Sequence, residues 1–164
     1  MTIRAIRLWP DPVLAQVCAP VEVIDDNIRV LAADMLETMY DAPGRGLAAP
    51  QVGVPLRIFV LDTGWKDGEP APSVFINPEI IGFDGLEVAG DEGCLSIPGV
   101  TTSVVRPQRV TLSWTSLDGV ETEAEFDGFA ARCVQHEFDH LNGVVTLDHL
   151  SHDARARAEA EYAA

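Results

Sequence analysis

Residues His136-Glu137-Phe138-Asp139-His140 set two imidazoles four positions apart, with a carboxylate beside the first. Residues four apart on an α-helix stack on one face, so the two rings can share one metal ion. Glu137 is then near enough to take a proton from water activated at that ion. The flanks predict the helix this geometry requires. Asp127-Gly128 offers an N-cap, Phe129 to Leu141 contains neither Pro nor Gly, and Asn142-Gly143 supplies a stop. Phe129, Cys133, His136 and His140 fall at helical spacing, which turns the ligand face inward. The plainer alternative is a pair of half-buried histidines on an amphipathic helix. The rarity of this triple at average composition favours the metal.

A catalytic site of this kind needs a third protein ligand and an open position for water. The extension that adds a third His six residues on fails, because Thr146 stands there. A downstream carboxylate would have to be Glu159 or Glu161, in an acidic tail. His149 and His152 follow a predicted turn, where a solvated role is expected. Cys133 lies one helical turn before His136, and three ligands stacked on one straight helix rarely converge on one ion. Cys94 sits at a bend, Asp91-Glu92-Gly93-Cys94-Leu95-Ser96, and can approach from another element with backbone N–H groups beside it. On these grounds Cys94 is preferred to Cys133.

The elements around these residues are those of an ordinary globular chain. Its 164 residues, 47% hydrophobic and 23% charged, suit one domain spanning 1–164. A net charge of −15 with only 11 Lys and Arg argues against a nucleic-acid partner. No apolar run approaches the length of a membrane span, and the start carries no apolar leader. Three widely spaced cysteines make no disulfide framework, which suggests a reducing cytoplasm.

Along the chain, Asp25-Asp26 opens a helix whose apolar stripe is Ile28, Leu31, Met35, Leu36 and Met39; it stops at Ala42-Pro43-Gly44. Cys18 is read as buried filler. Gly44 to Gly53 leaves bare backbone that something can approach closely, without the pattern of a phosphate loop. Strands are expected over residues 56–61, 75–81, 86–89, 109–115 and 120–126, with Asp118-Gly119 as a hairpin turn. Residues 151–164 read as a short solvated helix capped by Ser151.

Three separated segments resemble the motifs of the peptide deformylases: Gly44-Arg45-Gly46-Leu47-Ala48-Ala49-Pro50-Gln51, Glu92-Gly93-Cys94-Leu95-Ser96 and His136-Glu137-Phe138-Asp139-His140. Order and spacing agree, and the likeness weakens only after about residue 150. The resemblance implies an α+β fold with antiparallel β-sheets around the central H-E-x-x-H helix. It implies that Cys94, His136 and His140 hold one divalent metal, Fe2+ in the cell with Zn2+ or Ni2+ as substitutes. Glu137 would be the general acid/base, and the Gln51 side chain and Leu95 N–H the oxyanion donors. Gly46 and Arg45 would border the substrate, an N-formylmethionyl peptide, which is cleaved to formate and a free amine. A cytoplasmic setting and transient ribosome contact are implied as well.

Three departures stand out. Arg45 occupies a position that is usually apolar in the family, His149 one that often carries Tyr, and the C-terminal helix is short and mixed in charge. They leave room for a paralogue acting on another formyl or acyl amide. A structural metal domain without turnover would need a fourth protein ligand, for which Cys133 is the sole nominee.

Overall fold

The structure, a computed structural model, describes residues 2–164. Its elements run α1 (Asp26–Asp41), β1 (Gly46–Ala48), β2 (Ile58–Leu61), β3 (Ser73–Cys94), β4 (Ile97–Thr115), β5 (Glu121–Asp127), α2 (Gly128–Leu141) and α3 (His152–Ala163). The five strands form one antiparallel sheet in the order β1-β2-β3-β4-β5. This is the α+β arrangement expected, with α2 packed on the sheet. Among the described residues no helix is long and apolar enough to cross a membrane.

Helix α1 begins as expected: the Asp25 side chain accepts from the Ile28 N–H, satisfying a donor the first turn leaves open. Its stripe of Ile28, Leu31, Met35 and Met39 is buried with Leu47, Ile58, Val60 and Ile76. Across the sheet, Ala131, Val134 and Leu141 of α2 pack with Ala48, Phe59, Phe75, Val110 and Leu112. Cys18 lies buried in this second cluster, as expected. Asp127 caps α2.

The strands depart most from expectation. The segments read over 75–81 and 86–89 belong to one strand that continues to Cys94, and β4 begins at Ile97, twelve residues before the strand read at 109. The hairpin bends as it goes. Register shifts fall between Ile76 and Glu79, Ile80 and Gly82, Asp84 and Glu87, and Gly93 and Cys94. Each bulge adds local twist and curls the ladder. Asn77, at the first shift, has φ of 50°, which Asn tolerates better than most residues. Its amide clamps both the N–H and the C=O of Val21 at 2.8 Å.

Residues 151–164 form the expected helix, with Ser151 accepting from Ala154 N–H. It is not merely solvated, however. Ala158 is buried, and the Tyr162 hydroxyl donates to Trp9 C=O while the two rings pack edge to face. An alternating charge pattern conceals so narrow a packed edge.

Candidate metal centre and catalytic cleft

Helix α2 points its ligand face at the turn between β3 and β4. Cys94 ends β3, Leu95 and Ser96 make the turn, and Ile97 pairs back with Cys94. The donor atoms of Cys94, His136 and His140 lie within 4.8 Å of one another, with Cys94 Sγ 3.5 Å from His140 Nε2. Both rings are buried, as the helical spacing predicts; Phe129 is not, at 52% exposed, and stands on the rim. Cys133 lines the cleft but is absent from the cluster. Burial, with the charges of Glu137 and Glu92, pushes its thiol up to about 12. His149 also stands apart, 2.8 Å from Asp139.

The donor set fits a divalent metal. One thiolate and two imidazoles are three ligands of the kind that leave a position open. Glu92 Oε1 lies 2.9 Å from His136 Nδ1, which orients that ring and leaves Nε2 for the ion. Burial alone would lower the basicity of His136, but Glu137, Cys94 and Glu92 outweigh it and hold its pKa well above the usual histidine value. His140 is driven the other way, by burial and then by the charges of His136 and Arg106, so it stays neutral with a lone pair to give.

Glu92 is the residue on which the inner network converges, and no role was read for it in the sequence. Arg106 reaches it through Nε at 2.7 Å and Nη2 at 2.9 Å, and Arg132 through Nη1 at 2.8 Å. Burial would raise its pKa, but His136 and Arg106 hold it far below the ordinary carboxylate range. Arg106 also reaches Asp139 at 2.9 Å, tying the strand back to the helix. A signal for Arg106 exists in the sequence: Val100, Thr102, Val104 and Arg106 alternate, and all four face inward on β4. An arginine at an inward strand position requires a buried acid.

Glu137 is buried, and its Oε1 has no hydrogen-bond partner. Burial pushes this carboxyl up to about 7, against the pull of His136. Beside it, a Cβ built on Gly46 would stand 2.6 Å from Glu137 Oε2. Only glycine allows β1 to pass so near the acid. Gly44 serves Leu95 in the same way, since a Cβ there would meet Leu95 Cδ1 at 2.8 Å.

Gln51 is buried, and its amide is fixed at both ends. Its Oε1 accepts from Ala48 N–H at 2.9 Å, which turns Nε2 toward Ser96 Oγ at 3.1 Å and Cys94 Sγ at 3.7 Å. Its donor therefore faces the cluster. Arg45 lines the same cleft of about 640 Å3, with its guanidinium 5.1 Å from the Phe129 ring centre.

The chain is similar to known proteins in sequence and in fold. The sequence matches the family profile described as Polypeptide deformylase over residues 3–156. It is 51% identical over 151 residues to a peptide deformylase of Rhizobium meliloti (strain 1021), covering 92% of this chain and 87% of that one. The fold superposes on a peptide deformylase from Legionella pneumophila with a TM-score of 0.93 at 42% identity, covering 99% of this chain and 94% of the other. A Synechococcus elongatus peptide deformylase, solved in complex with actinonin, gives a TM-score of 0.92 at 41% identity, covering 96% and 86%.

Proposed function

The chain belongs to the polypeptide deformylase family, and from that premise we propose how its own residues carry out the reaction. It is a metal-dependent hydrolase that removes the formyl group from the N-terminal methionine of polypeptides. Cys94, His136 and His140 hold one divalent ion, which we assign as Fe2+, with Zn2+ or Ni2+ able to replace it. When bound, such an ion supplies Lewis acidity and makes water a nucleophile near neutral pH. All of residues 1–164 serve as one catalytic domain.

The observation that carries the mechanism is the unpartnered, buried oxygen of Glu137 beside the three-donor cluster. A carboxyl poised near 7 can take a proton from the attacking water and return one to the leaving amine nitrogen. As the formyl carbon becomes tetrahedral, Gln51 Nε2 and Leu95 N–H donate to the oxygen that gains charge. Gly46 lets the peptide backbone lie against this machinery, and Arg45 flanks it. Formate and a free N-terminal amine leave.

We place the reaction in the cytoplasm, on nascent chains during transient contact with the ribosome, without a nucleic-acid or membrane partner. The net charge of −15 supports the absence of direct nucleic-acid binding. Anaerobically metallated protein should release formate and a new amine in equal amounts from a formyl-Met-Ala peptide, and chelation should abolish both. Failure to release formate with iron, zinc or nickel would refute the assignment.

A further inference from the structure

The cleft holds two cations that the mechanism does not use. Of the 11 Lys and Arg in this chain, Arg4, Arg7, Arg29, Arg106, Arg109, Arg132 and Arg155 form ion pairs. Arg45, Arg57, Lys66 and Arg157 have no carboxylate within 4.0 Å among the described residues. Arg57 is occupied by Leu141 C=O and the Asn142 side chain, and Arg157 lies exposed on α3. The other two, Arg45 and Lys66, line the one catalytic cleft. Lys66 is the sole lysine of the chain.

This placement is built into the backbone. Asp62 N–H donates to Arg45 C=O at 2.9 Å, and the Trp65 indole donates to Gly44 C=O at 2.9 Å. The segment carrying Lys66 is thereby fastened to the segment carrying Arg45. The Tyr40 hydroxyl, 2.5 Å from Asp62 Oδ2, holds the same corner. Arg45 stacks on the half-exposed Phe129 ring, and its Nε is buried with no partner.

Neighbouring charges do not explain the pair. Glu92 is already shared by His136, Arg106 and Arg132, and Glu137 is the acid/base itself. Asp91 also lines the cleft but is exposed and lies within ion-pair distance of neither cation. A chain with 26 carboxylates has left two cations unmatched where the substrate enters.

We propose that Arg45 and Lys66 form a carboxylate-binding subsite at the catalytic cleft, so that the preferred substrate is a formyl peptide bearing an acidic group near its formylated end. The inference rests on the deformylase reading and narrows its substrate class. The planar guanidinium, backed by Phe129, offers a carboxylate paired donors, while the exposed Lys66, its ammonium 5.7 Å from the Trp65 ring centre, adds a second positive charge. The carboxylate has two sources: an acidic side chain in the first residues, or the terminal carboxylate of a very short peptide.

The test compares kcat/KM for formyl-Met-Asp-Ala amide and formyl-Met-Asn-Ala amide, and for formyl-Met-Ala as free acid and as amide, in wild type, Arg45→Met and Lys66→Met. Wild type should favour at least one carboxylate member by about tenfold, the scale of one charge-assisted hydrogen bond. The member favoured identifies the source. Arg45→Met should bring that ratio near unity, and Lys66→Met should lower it partly. Calorimetry with unformylated Met-Asp-Ala and Met-Asn-Ala amides, and with Met-Ala as acid and amide, reads the subsite without turnover. Formate released equally from every peptide, with equal product binding, overturns the subsite and leaves the deformylase reading intact. Selective product binding without formate release does the reverse. A wild-type preference that survives in Arg45→Met overturns the assignment of the residue.

Discussion

Glu92 Oε1 and His136 Nδ1 lie 2.9 Å apart, across 44 residues of sequence, and this contact joins the β3–β4 hairpin to the metal centre. It occupies Nδ1 of His136 and leaves Nε2 to face the ion that the three-donor cluster would hold. Replacing Glu92 by Gln keeps the shape but removes the charge that Arg106 and Arg132 also need. Metal affinity should fall by about 10- to 100-fold, the usual scale for a lost partner behind a ligand. Metal retained against a graded chelator reads this directly, and an unchanged retention curve would dismiss the role.

Gly46 is expected to tolerate nothing larger. Its Cβ position lies 2.6 Å from Glu137 Oε2, so Gly46→Ala must displace the strand or the acid. A misplacement near 1 Å costs about 10² in rate. Metal content should stay near one per chain while kcat falls on that scale. Full activity in Gly46→Ala would show that Glu137 has room the structure does not give it.

The Gln51 amide should act on the transition state. In Gln51→Leu the loss of one oxyanion donor should raise the barrier by ~3 kcal/mol, seen in kcat with KM little changed. Stability should also drop by about 1–3 kcal/mol, because the Ala48 N–H loses its buried acceptor. A variant that weakens only KM would make Gln51 a substrate clamp instead.

Tyr40 gives a pH signature for the corner that holds Arg45. Burial, with the Asp62 hydrogen bond and charge, raises its pKa from 10.0 to about 12. A folded pKa raised above the unfolded value contributes stability that is complete below pH 10.0 and lost as pH rises through about 12. Phenolate absorbance should show one tyrosine titrating late, and Asp62→Asn should bring that step down. An identical titration in the variant would contradict the pairing.

The centre was the most legible part of the chain because its signals are local. The i, i+4 histidines, the Asp127 cap and the Asn142-Gly143 stop specify the helix between residues 127 and 143, and the structure places both rings as that spacing requires. The bend at Cys94 favours it over Cys133, and the structure brings its thiol beside both rings. The β3–β4 hairpin was not legible between Ala89 and Arg109. Gly90, Gly93, Pro98, Gly99 and Pro107 interrupt the two-residue period, and the bulges move the inward face along it. Glu92 and Arg106 were lost with that strand, since an inward charge is visible only once the strand is seen. Arg45 was singled out, but its lack of an ion pair and its stacking on Phe129 depend on contacts 84 residues apart.

The most direct test of the account is Glu137→Gln, with metal content and formate release measured on the same preparation. The substitution keeps the size of the side chain and removes its basic carboxylate. The variant should hold about one metal per chain, as wild type does, while kcat for a formyl-Met peptide falls by at least ~10². A variant that keeps its metal and releases formate at the wild-type rate would contradict the proposed role of Glu137.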